Sequence, residues 1–274
     1  MLGKTIKQEL RATGRIMLPL LGVLLLLAAL AGVSAKLIDS GVDNRLLDVF
    51  SALFIAGFFI GLFAVMVIAF VLMIQRFYKN LMGDEGYLML TLPVTVDAHI
   101  FAKLLVSFIW FAVTALVCML SVLIMAGVNV DFSDIGDMLP KFADITAYVS
   151  VANLIGYFLE GLVLCFVGSC AVCLHFYAAI AAGHSFSNHK VLLSVVFYFV
   201  ISFLLSAFQM CLAWLADKVG LIQTASSFME AQTSADFVSL LHVFMLCAIG
   251  YGLVIAAVCY LPTTLLMKKK LNLA

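Results

Sequence analysis

One carboxylate lies deep in an apolar stretch of this 274-residue chain: Glu160. Tyr157 and Asn153 precede it by about one and two helical turns, so a helix sets all three on one face. A carboxylate at the centre of a membrane helix costs about 2.5–3.5 kcal/mol on insertion scales, which turns it toward the bundle or a wet cavity. Three roles fit the stripe Asn153, Tyr157, Glu160: structural pairing, the carboxyl protonated or not; a translocation path; or a proton relay.

The other chemistry-bearing residues say less. His184 and His189 share a polar segment that ends at Lys190, and two imidazoles at that spacing are only a fragment of a metal site. His175 and Gln209 interrupt apolar runs and are expected to be bundle-facing and partnered. Cys170 and Cys173 form a CxxC, but no second pair accompanies them. With Cys118, Cys165, Cys211, Cys247 and Cys259 they lie in apolar runs, where cysteine packs as a small hydrophobe, so no disulfide is expected. The stretch Asp131-Phe-Ser-Asp134-Ile-Gly-Asp137 lacks the ligand order and terminal Glu of a calcium loop and reads as a solvated acidic loop. No metal site is expected. There is no Gly-x4-Gly-Lys-Ser/Thr loop to cradle phosphates, no His-Glu-x-x-His and no paired carboxylates. No catalytic residue and no cofactor are expected in this chain, and any ATP that drives it binds another chain.

The elements that position these residues follow from composition. Hydrophobic residues make up 65% of the chain and charged ones 11%, against about 25% charged in a soluble domain. So few charges cannot cover a water-soluble protein of this size, and lipid is the solvent for most of the chain. A helix needs about 20 apolar residues to cross a hydrocarbon core about 30 Å thick. Six segments qualify: Ile16–Leu37, Val49–Ile74, Leu104–Val128, Tyr148–Ala179, Val191–Ala216 and Phe237–Met267. They are apolar all round, without the alternation of a membrane barrel, so an all-α integral membrane protein of one domain, 1–274, is predicted. The first span has a basic start and a small-x-small sequence at Val33-Ser34-Ala35. Its apolar stretch exceeds that of a signal peptide, and a retained anchor is expected.

Orientation follows from Lys and Arg in short loops. Lys4, Lys7, Arg11, Arg15, Arg76, Lys79, Lys103, Lys190, Lys268, Lys269 and Lys270 flank one set of span ends. Only Lys36, Arg45, Lys141 and Lys218 flank the other. The formal net charge of zero hides this asymmetry. The first set is expected in the cytoplasm, with both termini.

Two flanks carry pattern. In residues 1–15, Ile6, Leu10, Thr13 and, just beyond, Met17 share one helical face, and Lys4, Lys7, Arg11 and Arg15 another. This is either an amphipathic helix at the interface, reaching anionic headgroups, or the ordinary positive flank of a first span. In the segment 75–98, Gly83 can stop a helix, Asp84 can cap a new one with Glu85 in its first turn, and Pro93 ends it. Between them lie about two turns carrying Tyr87, Leu88, Leu90 and Leu92. Such a short apolar helix packs on its own bundle, on a partner protein or on lipid.

Arg76-Phe-Tyr-Lys-Asn-Leu81, then Gly86-Tyr-Leu-Met-Leu-Thr-Leu-Pro-Val94, then Lys103 at the mouth of the third span, resembles the permeases of type-2 ABC transporters from Gram-positive bacteria. The segment Tyr177-Ala-Ala-Ile-Ala-Ala-Gly183-His-Ser-Phe-Ser-Asn-His189-Lys190 resembles the same family's loop between the fourth and fifth spans. The resemblance implies the type-2 exporter-like fold and a homo- or heterodimer of permease subunits. It also implies a separate ATP-binding subunit, carrying ATP and Mg, docked on Asp84, Glu85, Tyr87, Leu88 and Leu90, with His184, His189 and Lys190 in the second cytoplasmic loop. Membrane lipid is the other expected partner, and nucleic acid is not one. The alternative is an ion- or proton-coupled secondary transporter that uses Glu160, although no inverted repeat with broken helices is visible.

Overall fold

In hydrocarbon every backbone amide must be satisfied within its own segment, so long apolar runs become helices. The computed structural model describes residues 2–39, 45–83, 95–128, 150–186, 188–220 and 234–269. They form six long helices: α1 (Leu2–Asp39), α2 (Arg45–Phe77), α3 (Val96–Gly127), α4 (Val151–Gly183), α5 (Lys190–Lys218) and α6 (Ser234–Lys269). All six are long and apolar enough to cross a membrane, the architecture of a multi-pass membrane protein. The predicted spans fall inside them, with α3 ending one residue before Val128 and Tyr148 lying outside the described residues. The helices have 29 to 38 residues, about 44–57 Å at 1.5 Å per residue, longer than the hydrocarbon core is thick. α2 does not stop where its apolar run stops. It continues through a π turn, Tyr78–Met82, and ends at Gly83.

Two compact units divide the chain: Met1–Gln75 with Leu105–Lys141, and Arg76–Leu104 with Phe142–Ala274. In the first, α1 buries Met17, Leu21, Leu24, Ala28 and Ala31, alternating steps of four and three that keep one stripe on the bundle. Phe58, Val65, Ala69 and Met73 of α2 and Val106, Trp110 and Cys118 of α3 complete this core. Ala28 and Ala31 let backbones approach closely, as small residues do where helices pack in lipid. Two buried polar side chains here bond each other and the backbone: Trp110 Nε1 donates to Thr13 Oγ1 at 2.6 Å, and Thr13 Oγ1 donates to the Glu9 carbonyl at 2.8 Å. Residues 4–15 are the first turns of α1 rather than a separate helix. Their apolar side chains Ile6 and Leu10 pack on the core, while Lys4, Lys7, Arg11 and Arg15 are exposed.

In the second unit α4 packs against both α5 and α6. It buries Val167, Ala171, Cys173, Leu174, Tyr177, Ala178, Ala179, Ala181 and Gly183. The run of alanines lets neighbours approach closely, and at Gly183 the approach is closest: a Cβ there would overlap Ser194 at the start of α5. Pro262 sits inside α6, and the hydroxyls of Thr263 and Thr264 after it bond the carbonyls of Cys259 and Tyr260 at 2.7 and 3.1 Å. Such hydroxyls help keep a proline-containing membrane helix satisfied. No disulfide forms among the described residues.

Candidate functional site

α4 and α6 begin at the same end of their unit and run parallel. Glu160 is the tenth residue of α4 and His242 the ninth of α6, so both lie about 12–14 Å along their helices at 1.5 Å per residue. They meet there. His242 Nδ1 lies 2.8 Å from Glu160 Oε1 and 2.9 Å from Oε2. A carboxylate only accepts, so with Glu160 ionised the hydrogen must sit on Nδ1.

The ring is held on its other sides. Tyr157, one turn before Glu160, stacks on it with centroids 4.2 Å apart and planes 24° from parallel. The Tyr157 hydroxyl donates to the Val238 carbonyl at 2.8 Å, one turn before His242 on α6. A Cβ at Gly156 would stand 3.1 Å from His242 Cε1 and 3.8 Å from Nε2. Glycine is what lets the edge of the ring lie against the α4 backbone. The side chains of His242 and Glu160 are 25% and 19% exposed, so Glu160 faces protein and a partner rather than bare hydrocarbon.

Of the sequence-predicted stripe, the structure brings Tyr157 and Glu160 onto one imidazole. Asn153 lies two turns away, half-buried, with its backbone N–H directed to Ser150 at the helix start. His242 was not among the expected site residues. The signal for it is a second ionisable residue at matching depth in another span, and it is legible only once α4 and α6 are known to be adjacent.

The two patterned segments meet at the other, lysine-rich end of the same unit. Phe77, the last residue of α2, stacks on Tyr177 of α4 with centroids 3.7 Å apart and planes 7° from parallel, both rings fully buried. Tyr78 meets His184 edge-on at 5.3 Å. His184 is itself buried and its Nδ1 is 2.9 Å from the Ile180 carbonyl. As the donor there it caps the C-terminus of α4. Lys103, 5% exposed, donates to the Arg76 carbonyl at 3.3 Å where α2 passes into its π turn. Asp97, in the first turn of α3, accepts from Tyr260 Oη at 2.8 Å and from Lys268 Nζ at 2.6 Å, tying α3 to the end of α6.

Gly83 stops the helix that precedes it, as its place in the sequence suggested. Gln75–Met82 is helical, so the connection between α2 and α3 is shorter than the segment 75–98. Both its edges are fixed: the Gly83 N–H bonds the Tyr78 carbonyl, and Thr95 receives the N–H groups of Ala98 and His99. Asp84, Glu85, Tyr87, Leu88 and Leu90 lie outside the described residues, as do Asp131, Asp134 and Asp137. His189 takes a left-handed backbone, φ 53°, just before Lys190 opens α5, and it is exposed where His184 is buried. No group of three metal-ligating side chains gathers among the described residues.

His175 has the partners expected of it, with Nε2 at 3.2 Å from Ser202 Oγ and its ring stacked on Tyr198 at 4.8 Å. Gln209 does not face the bundle. It is exposed, in a stretch of α5, 206–215, in which every residue is exposed.

Compared with family models, with curated proteins and with solved structures, the chain gives no match.

Proposed function

We propose that this chain is the membrane-spanning subunit of an ATP-driven exporter of the type-2 ABC kind, set in a bacterial plasma membrane with both termini in the cytoplasm. A second permease subunit completes the pore, and a separate ATP-binding subunit powers it. The observation that supports this is the convergence of the two patterned segments: Phe77 on Tyr177 and Tyr78 on His184 join the end of α2 to the end of α4. The segment 84–94 springs from that joint at Gly83 and returns at Thr95 to the head of α3.

A force applied to that segment by a partner has short mechanical routes into α2, α3 and α4. A coupling element needs such routes, because binding energy elsewhere must become helix movement here. In the same reading the exposed basic face of α1, from Lys4 to Arg15, meets anionic headgroups.

The test is co-purification with the ATP-binding subunit. Tyr87 is the aromatic anchor, and truncating such an anchor typically costs at least about 2 kcal/mol, or roughly 30-fold in affinity. Tyr87→Ala should insert normally yet lose the ATPase and ATP-driven transport, while Asp134→Ala with Asp137→Ala should keep both. Unchanged binding in Tyr87→Ala and in the charge reversal Glu85→Lys removes this segment as the coupling element. The pairing of Glu160 with His242 favours the second reading, a proton-coupled carrier, which the same preparation separates: its transport persists with no ATP-binding partner.

A further inference from the structure

We propose that Glu160 and His242 form a one-proton binding site, loaded and emptied at His242 Nε2 while the Nδ1 hydrogen bond to Glu160 keeps α4 tied to α6. The inference does not rest on the ATPase reading, since a proton site is compatible with either source of energy.

The argument is one of valence. Nδ1 faces both carboxylate oxygens, at 2.8 and 2.9 Å, and must keep its hydrogen for as long as Glu160 is ionised. A proton leaving Nδ1 would abolish the interhelical bond while Glu160 is ionised, and a proton placed on one Glu160 oxygen would leave only the other to accept it. Nε2 can change state without touching that bond. The imidazolium gives its Nε2 proton to water and becomes a neutral imidazole, still donating through Nδ1. No other bond is made or broken. Histidine is the side chain best suited to such exchange in the physiological range.

The surroundings fit the assignment. Gly156 puts no side chain over the Nε2 edge, where a Cβ would stand 3.8 Å away. A quarter of the His242 side chain is exposed, so the ring is not sealed inside the unit. Other titratable groups lie on the helices packed there: Tyr157 and Cys165 on α4, Cys247 on α6, and Cys211, Asp217 and Lys218 on the closing turns of α5. Tyr157 commits its hydroxyl to Val238, and Lys218 lies over the Trp214 ring at 5.8 Å. Among the described residues, Glu160 is the charged group bonded to the ring.

A proton is also the ligand of the right size. A hard metal cation takes about six or more oxygens, whereas two converge here, both engaged by Nδ1. The loaded pair, carboxylate with imidazolium, is neutral. The emptied pair carries one negative charge, which a low-dielectric surrounding disfavours. Proton release is therefore linked to hydration of this part of the unit.

The test uses the purified full chain in phosphatidylcholine nanodiscs with nitrogen-15-labelled histidine. The chain has five histidines, and the His242 signals are the ones lost in His242→Gln. Between about pH 5 and 9, a range bracketing ordinary histidine titration, Nε2 should pass from protonated to unprotonated while Nδ1 stays protonated. Glu160→Gln keeps an acceptor and should keep the Nδ1 hydrogen. Glu160→Leu removes the acceptor and should let the neutral ring occupy both tautomers. An Nε2 signal that does not move with pH overturns the proposal, as does a titrating Nδ1 or a Glu160→Leu spectrum identical to wild type. The wild-type series decides the matter by itself if Glu160→Leu does not insert.

Discussion

His242 Nδ1 bridges the two oxygens of Glu160 at 2.8 and 2.9 Å across 82 residues of sequence, and so joins α4 to α6. Replacing one partner leaves an ionisable group without its mate in the bundle, whereas replacing both removes the problem. Glu160→Leu and His242→Leu should each destabilise the chain in detergent. The double variant should recover most of the loss, with a coupling of about 1–2 kcal/mol, the upper part of the range for polar contacts between membrane helices. Thermal melts of the four proteins close the cycle. Strict additivity would mean that the pair contributes no specific stability.

Sequence reasoning captured the six helices because an apolar run near the length of a bilayer has few alternatives in lipid. It captured Glu160 with Tyr157 because one helix places residues three apart on one face. His242 escaped it because pairing between helices depends on which helices are neighbours, and local periodicity carries no information about that. Gln209 differs from expectation for a related reason: a polar residue in a span suggests a bundle-facing site, but residues 206–215 of α5 are all exposed, and local sequence does not tell which stretch of a span is covered. The end of α2 ran past its apolar stretch because Asn80, Leu81 and Met82 are buried in the protein rather than bordered by water.

Topology carries every docking argument, and it rests on Lys and Arg placement. A reporter active only in the cytoplasm should give signal when fused after Ala274 and none when inserted beside Asp137. The opposite pattern would invert the chain and place the Phe77–Tyr177 joint outside the cell, away from any ATPase.

The two tryptophans separate lipid from core. Trp110 is 6% exposed and bonded to Thr13, while Trp214 on α5 is 59% exposed. In bilayers of brominated lipid, Trp110→Phe, which retains Trp214, should lose most of its emission. Trp214→Phe, which retains Trp110, should lose little. Equal quenching would contradict the burial of Trp110 between α1 and α3.

Phe77 and Tyr177 stack nearly face to face, and both are fully buried. Phe77→Ala and Tyr177→Ala should each cost about 3 kcal/mol or more, as large-to-small changes in packed sites do. Their double-mutant coupling should be about 0.5–1.5 kcal/mol, the share belonging to the ring pair itself. The same variants bear on function, because loosening this joint should weaken the response of transport to ATP even where ATPase binding survives.

Gly183 gives the sharpest steric test. It ends α4 where α5 begins its return, and a Cβ there would overlap Ser194, falling 2.7 Å from Ser194 Cα and closer still to its backbone nitrogen and hydroxyl. Side chains can rotate away from a new methyl group, but the backbone of a helix cannot. Gly183→Ala should therefore cost more than the roughly 1–3 kcal/mol usual for overpacking, and trimming the hydroxyl in a Gly183→Ala, Ser194→Ala double variant should restore little of it. The loss should fall on the α4–α5 turn, seen as faster proteolysis between Gly183 and Lys190, while the Trp110 emission of a Trp214→Phe background stays unchanged. If Ser194→Ala fully rescues Gly183→Ala, the close approach belongs to the side chain alone, and the tight packing of α5 on the end of α4 is refuted.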